Sequence, residues 1–242
     1  MVAPAVFRPD GLAPITGDFI VDLSAPRTTL HRTAVEMDGL GDGVTDPTAA
    51  QGTLRLAGLQ VRGPVAVADL DARQWGFPTS LGGLIGADSL AGMAVRLSFA
   101  PCRVILARRL APTKLGARLP IRLVGAVPTI EATVSDGATT RTGRFAIDTG
   151  SIGVRIAADA ARFSRLSAKV DPLSRDAPPA RLASLSFGGV TLRNEPAALA
   201  TDLPDGVLGA IGTHVWSRYS LTLDLRRGEL RLGPPSPQGG GK

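Results

Sequence analysis

The chain repeats itself, and that repetition restricts its possible folds more than any other feature. Residues 19–30, "FIVDLSAPRTTL", match residues 145–156, "FAIDTGSIGVRI", with Asp22 answering Asp148 at an offset of 126 positions (148 − 22). Residues 54–70, "LRLAGLQVRGPVAVADL", echo residues 185–203, "LSFGGVTLRNEPAALATDL"; both are hairpin-like, with Pro64 and Pro196 in comparable places. "GLIG" at 83–86 pairs in this reading with "GVLG" at 206–209, 61 residues after the Asp in the first copy (83 − 22) and 58 in the second (206 − 148). Finally "VRLSFAPCRVIL" (95–106) matches "LTLDLRRGELRL" (221–232). Four features recurring in one order predict a duplicated, two-lobed molecule. The join is expected in the polar, basic, Pro-bearing "ARRLAPTKLGARLP". This divides the chain into a lobe over 1–110, a lobe over 111–234 and a disordered tail over 235–242.

Within each half the periodicity is two. Short alternating runs such as "FIVDL", "MAVRLSF", "CRVILA", "LPIRLV" and "YSLTLDL" are separated by Gly, Pro and Asp-Gly turns. "VSDGATTRTGRF" predicts a hairpin turning at Asp136-Gly137. Helical patches are short, at 86–93, 157–164 and 211–218. The expected fold is mostly β, with two homologous lobes and a few short helices. An apolar fraction of 44% is enough to build such cores.

Charge and cysteine usage narrow the function classes. The formal charge is +6, but the arginines (62, 73, 96, 103, 118, 144, 155 and 181 among them) are spread along the chain, and aromatics make up 4%. Nucleic-acid binding needs clustered cations interleaved with aromatic rings, so it is set aside; these arginines are expected on solvated strand faces and turns. Cys102 is the single cysteine, so no internal disulfide exists. No apolar run is long enough to span a membrane as a helix. The opening "MVAPAVFRPDG" shows no signal peptide, and a periplasmic or secreted setting is favoured only if a leader has been removed.

Asp148 follows an apolar run and precedes Thr149-Gly150-Ser151. A carboxylate so placed is costly to bury without a partner. At these residues the chain resembles the aspartic peptidases of the pepsin and retropepsin superfamily, and most closely the bilobal, retropepsin-like proteins of bacteria. The resemblance rests on Phe145-Ala146-Ile147-Asp148-Thr149-Gly150-Ser151, on Val207-Leu208-Gly209, and on the terminal "SLTLDLRRGELRL". It implies a bilobal pepsin-like acid-protease fold, mostly β, with two homologous β-barrel-like lobes, and an aspartic endopeptidase using no metal or cofactor. Its dyad would be Asp148 and Asp22, one from each lobe. Two carboxyls about 3 Å apart cannot both ionise, so they share a proton and supply base and acid together. In the family the Thr hydroxyl reaches the partner loop and the Gly lets the loop turn beneath the carboxylates. Thr149 and Gly150 fit those roles.

The first copy departs from the motif. It reads Asp22-Leu23-Ser24, so Leu23 has no hydroxyl and Ser24 carries a Cβ where the family has Gly, although its N–H can still reach a carboxylate. Ser98 likewise answers Asp224. Three readings stay open: a working Asp22/Asp148 dyad, a catalytically impaired protein that binds extended peptides, and a homodimer pairing two copies of Asp148. Two lobes in one chain make a monomer the simpler expectation. The implied partner is an extended peptide or protein substrate in the inter-lobe cleft, under a flap at 48–58 or 176–186. Trp75 and Trp216 are expected in core or interface. His31 and His214 are far apart in sequence, with no His-x-x-x-His or Cys/His cluster, which disfavours a metal hydrolase. No Gly-x-Ser-x-Gly elbow occurs, and Cys102 has no partners for nucleophilic catalysis.

Overall fold

The computed structural model describes residues 1–11, 13–37, 48–74, 77–111, 116–158 and 180–234. Among them the first half contains β1 (Val2–Pro9), β2 (Ile15–Val21), β3 (Thr29–His31), α1 (Arg32–Met37), β4 (Ala49–Leu56) and β5 (Leu59–Ala68). It continues through α2 (Asp71–Gln74), β6 (Leu81–Ile85), α3 (Ala87–Leu90), β7 (Ala94–Phe99) and β8 (Cys102–Ala107). The second half runs through β9 (Ala117–Pro120), β10 (Arg122–Val124), β11 (Val127–Ser135), β12 (Thr140–Ile147), β13 (Val154–Ala157), β14 (Arg181–Phe187) and β15 (Val190–Ala200). It ends with β16 (Gly209–Ile211), α4 (Thr213–Trp216), β17 (Ser220–Asp224) and β18 (Glu229–Gly233). No helix among the described residues is long and apolar enough to cross a membrane.

Each half closes a barrel. The first runs β1-β2-β6-β3-β5-β4, closed by β4 on β1. The second repeats that order as β11-β12-β16-β13-β15-β14, closed by β14 on β11, with β10 beside β11. The predicted hairpins form, with Asp136 Oδ1 accepting the N–H groups of Ala138 and Thr139 at the β11–β12 turn. β1 is the strand the sequence hid: Pro4 and Pro9 weaken its propensity, yet its residues alternate between buried and open as a barrel strand requires. Of the helical patches, 86–93 contains α3 and 211–218 contains α4; residue 157 ends β13, and 159–164 lie outside the described residues, as do Trp75 and the tail from 235.

One repeat assignment needs correcting. Gly83, Leu84 and Ile85 run parallel to Phe19, Ile20 and Val21; their counterparts beside Phe145, Ala146 and Ile147 are Gly209, Ala210 and Ile211. "GLIG" therefore matches "GAIG" at 209–212, not "GVLG" at 206–209. Packing explains the true register. A Cβ on Gly83 would stand 2.3 Å from the Thr29 carbonyl oxygen, and one on Gly209 would stand 2.5 Å from that of Arg155. Both strands pass flush against a neighbour, so the glycine is fixed by contact. Gly86 and Gly212 then precede α3 and α4 with matching extended backbones.

The lobes are joined by a shared sheet, ordered β8-β7-β17-β18-β9. Across its centre Arg96 faces Thr222, with Leu97 opposite Leu221 and Val95 opposite Leu223. Arg96 and Thr222 are themselves 126 apart and joined by a 3.2 Å hydrogen bond. A residue meeting its own counterpart marks the axis of an approximate two-fold. Val95, Leu97, Leu221 and Leu223 are all wholly buried, so the sheet is part of the core.

Candidate active site

The same axis passes between the two Asp loops. β2 ends on Phe19-Ile20-Val21 and β12 on Phe145-Ala146-Ile147, every one of them buried. Each strand then delivers an aspartate, Asp22 or Asp148, with no exposed surface. The backbones are held alike: Asp22 N–H donates to the Ile85 carbonyl and Asp148 N–H to that of Ile211, both at 3.0 Å. Thr149 Oγ1 donates to the Val21 carbonyl at 2.8 Å and accepts from the Leu23 N–H at 3.0 Å. Leu23 and Thr149 are counterparts, so the loops lie back to back across the axis. Leu23 returns no such bond, and its side chain is packed into the apolar core instead.

Both carboxylates lie against Gly150. Its N–H donates to Asp148 Oδ1 at 3.0 Å, and a Cβ built on it would stand 2.2 Å from Asp22 Oδ2. Ser151 N–H also donates to Asp148 Oδ1, at 2.8 Å. On the other loop Ser24 gives Asp22 Oδ1 two bonds, from its N–H at 2.9 Å and its hydroxyl at 2.6 Å. The structure thus brings together all seven residues singled out in the two motifs.

Sequence reasoning missed two arginines. Arg73 Nη1 meets Asp22 Oδ2 at 2.6 Å, and Arg155 Nη2 meets Asp148 Oδ2 at 2.9 Å. The sequence places them on solvated faces and turns, yet their guanidinium groups reach buried carboxylates. Arg155 also holds both oxygens of Asp202, at 2.9 and 2.8 Å. Burial opposes the charge of Arg155, but Asp148 and then Asp202 outweigh it and hold the guanidinium pKa above its ordinary value. A usable signal existed for Arg155: a cation seven residues after a buried Asp, where the repeat places Thr29 in the first lobe. Arg73 gave none, since 51 positions separate it from Asp22.

The remaining sequence candidates take other positions. Residues 48–58 form β4 and its turn into β5, while 180–186 lead into and along β14 and 176–179 lie outside the described residues. Trp216 is buried and packs edge-on against Phe187, with ring centroids 5.4 Å apart. Cys102 is exposed at the start of β8. His31 accepts the Leu70 N–H at Nδ1 (3.3 Å), so its proton is assigned to Nε2, which faces Asp71 at 3.2 Å. With Asp69 these side chains cluster, but both ring nitrogens already have partners.

No protein-family profile matches the sequence, and no curated protein does either. Among solved structures, the aspartic proteinase from Irpex lacteus resembles the chain with a TM-score of 0.56, covering 99% of this chain and 95% of that one at 14% identity. The fold is that of a bilobal, pepsin-like aspartic proteinase.

Proposed function

We propose that the chain is an aspartic endopeptidase whose dyad is Asp22 and Asp148. One observation carries this reading: Thr149 ties the two Asp loops together across the lobe axis, with both buried carboxylates against Gly150. Nothing in barrel packing calls for two carboxylates at one apolar interface, and their burial is costly. In this mechanism Asp148, whose counter-charge Arg155 is anchored by Asp202, stays negative and takes a proton from the attacking water. Asp22, once clear of Arg73, carries the proton that polarises the scissile carbonyl; the two roles then exchange as the amine leaves. The substrate lies extended in the cleft, held through its backbone, with the β4–β5 hairpin as a flap. The strand–Asp-Thr-Gly motif favours kinship with bacterial retropepsin-like proteins.

A second reading has an observation of its own. Each carboxylate already holds a guanidinium group on one oxygen, Asp22 Oδ2 on Arg73 and Asp148 Oδ2 on Arg155, and a charge so paired resists the protonation that the dyad requires. A protein that kept this arrangement throughout would bind extended peptides without cleaving them. Incubation with an unstructured protein at acid pH separates the readings. The first predicts cleavage that a peptide bearing a hydroxyl in place of the scissile carbonyl blocks. Saturable peptide binding with no turnover at any pH would establish the second.

A further inference from the structure

The two arginines are held differently. Arg155 projects from β13, which is bonded to strands on both sides, and bridges two carboxylates with 19% of its side chain exposed. Arg73 projects from the four-residue α2, and 33% of its side chain is open. The base of α2 is pinned: Asp71 takes the His31 contact, and its N–H donates to Asp69 Oδ1 at 2.7 Å. Arg73 is thus a long, partly open side chain on a fixed root.

A guanidinium cannot shed its charge, and moving it off a buried carboxylate without a replacement anion is unfavourable. A second carboxylate supplied from the cleft changes that balance, because one charge-assisted pair replaces another. We propose, resting on the peptidase reading, that Arg73 is a specificity residue selecting peptides with an acidic side chain beside the scissile bond. The incoming carboxylate takes Arg73 from Asp22 Oδ2. Asp22, now next to the negative Asp148 without its own counter-charge, takes a proton from solvent and becomes the acid of the dyad. No covalent change is involved; one ion pair is exchanged and one proton bound. Neutral or basic residues at that place leave Arg73 on Asp22.

The test uses uncleavable probes: decapeptides of Ala, Leu and Thr with a hydroxyethylene group replacing the central peptide bond. Glu or Gln is placed in turn at each of the four residues flanking that group, and binding is measured calorimetrically on the full chain. At one or more of these positions the wild-type protein is expected to bind the Glu probe about tenfold tighter than its Gln twin, the scale of one added charged hydrogen bond. Arg73→Gln should bring the pair to within about twofold, while Arg73→Lys should keep part of the difference, because a cation remains without the guanidinium fork. A purely structural Arg73 would lower stability in Arg73→Gln without touching the Glu-to-Gln ratio. Equal binding of every twin pair to wild type overturns the proposal without any variant, and so does a Glu preference that survives Arg73→Gln. A Glu preference lost in Arg73→Gln, in a protein that cleaves no peptide, would instead uphold the role of Arg73 in binding and refute the peptidase reading.

Discussion

Thr149 is a single side chain joining two lobes. Its hydroxyl satisfies a buried carbonyl, Val21, and a buried N–H, Leu23, that belong to the other half of the molecule. Thr149→Val keeps the shape and leaves both groups unpaired, which should cost about 2–4 kcal/mol, while Thr149→Ser should cost far less. Urea midpoints of the two variants check this, and equal midpoints would show that the bonds contribute little. Asp22 and Asp148 were legible in the sequence because a charge directly after three buried apolar residues calls for an explanation. Arg155 left a trace, a cation where the repeat has Thr29, but Arg73 left none, because a counter-charge is chosen by which segments the fold brings together. The pattern of a strand or a short helix does not record that choice.

At the scale of elements, the paired strands β2/β6 and β12/β16 form the platform that presents the aspartates. Gly83 and Gly209 set its thickness, each too close to a neighbouring backbone oxygen and to Phe19 or Phe145 to admit a Cβ. Gly209→Ala places a methyl 2.4 Å from Phe145 Cε1. It is expected to destabilise by about 3 kcal/mol, the upper range for overpacking a core. Thermal unfolding measures it, and a shift no larger than that of an exposed Ala substitution would contradict the close-packed platform. The hairpins β4–β5, β11–β12 and β14–β15 and the β7–β8 and β17–β18 pairs were legible from alternation and turn residues. The short central strands were harder to see. β3 and β16 have three residues each, too few to show a period, and β6 is buried throughout. The mistaken pairing of "GLIG" with "GVLG" followed from this, since two similar apolar-Gly strings lie within three residues and only the sheet register separates them.

At the scale of the molecule, two barrels share a sheet and meet again at the Asp loops, and both contacts cross the same axis. Val95, Leu97, Leu221 and Leu223 give that sheet a buried face drawn from both lobes. The lobes should therefore unfold together, as one calorimetric transition whose van't Hoff and calorimetric enthalpies agree. Residues 1–110 alone should fail to fold, because they would expose the β7 edge; two separated transitions would show the lobes to be independent. The duplication was legible because both copies kept their strand endings and turns. The loss of symmetry at the site was legible as residue types, Leu23 against Thr149 and Thr29 against Arg155, but what each side chain reaches took shape only in three dimensions.

The central claim is that Asp22 and Asp148 act as one unit. It is tested most directly by the rate of cleavage of an unstructured protein at acid pH by wild type, Asp22→Asn and Asp148→Asn, each first shown to be folded. The dyad account predicts that either substitution alone abolishes turnover, because half of a shared-proton pair supplies base or acid but not both. Turnover that persists in Asp22→Asn and vanishes in Asp148→Asn would contradict it and point to catalysis by two copies of Asp148.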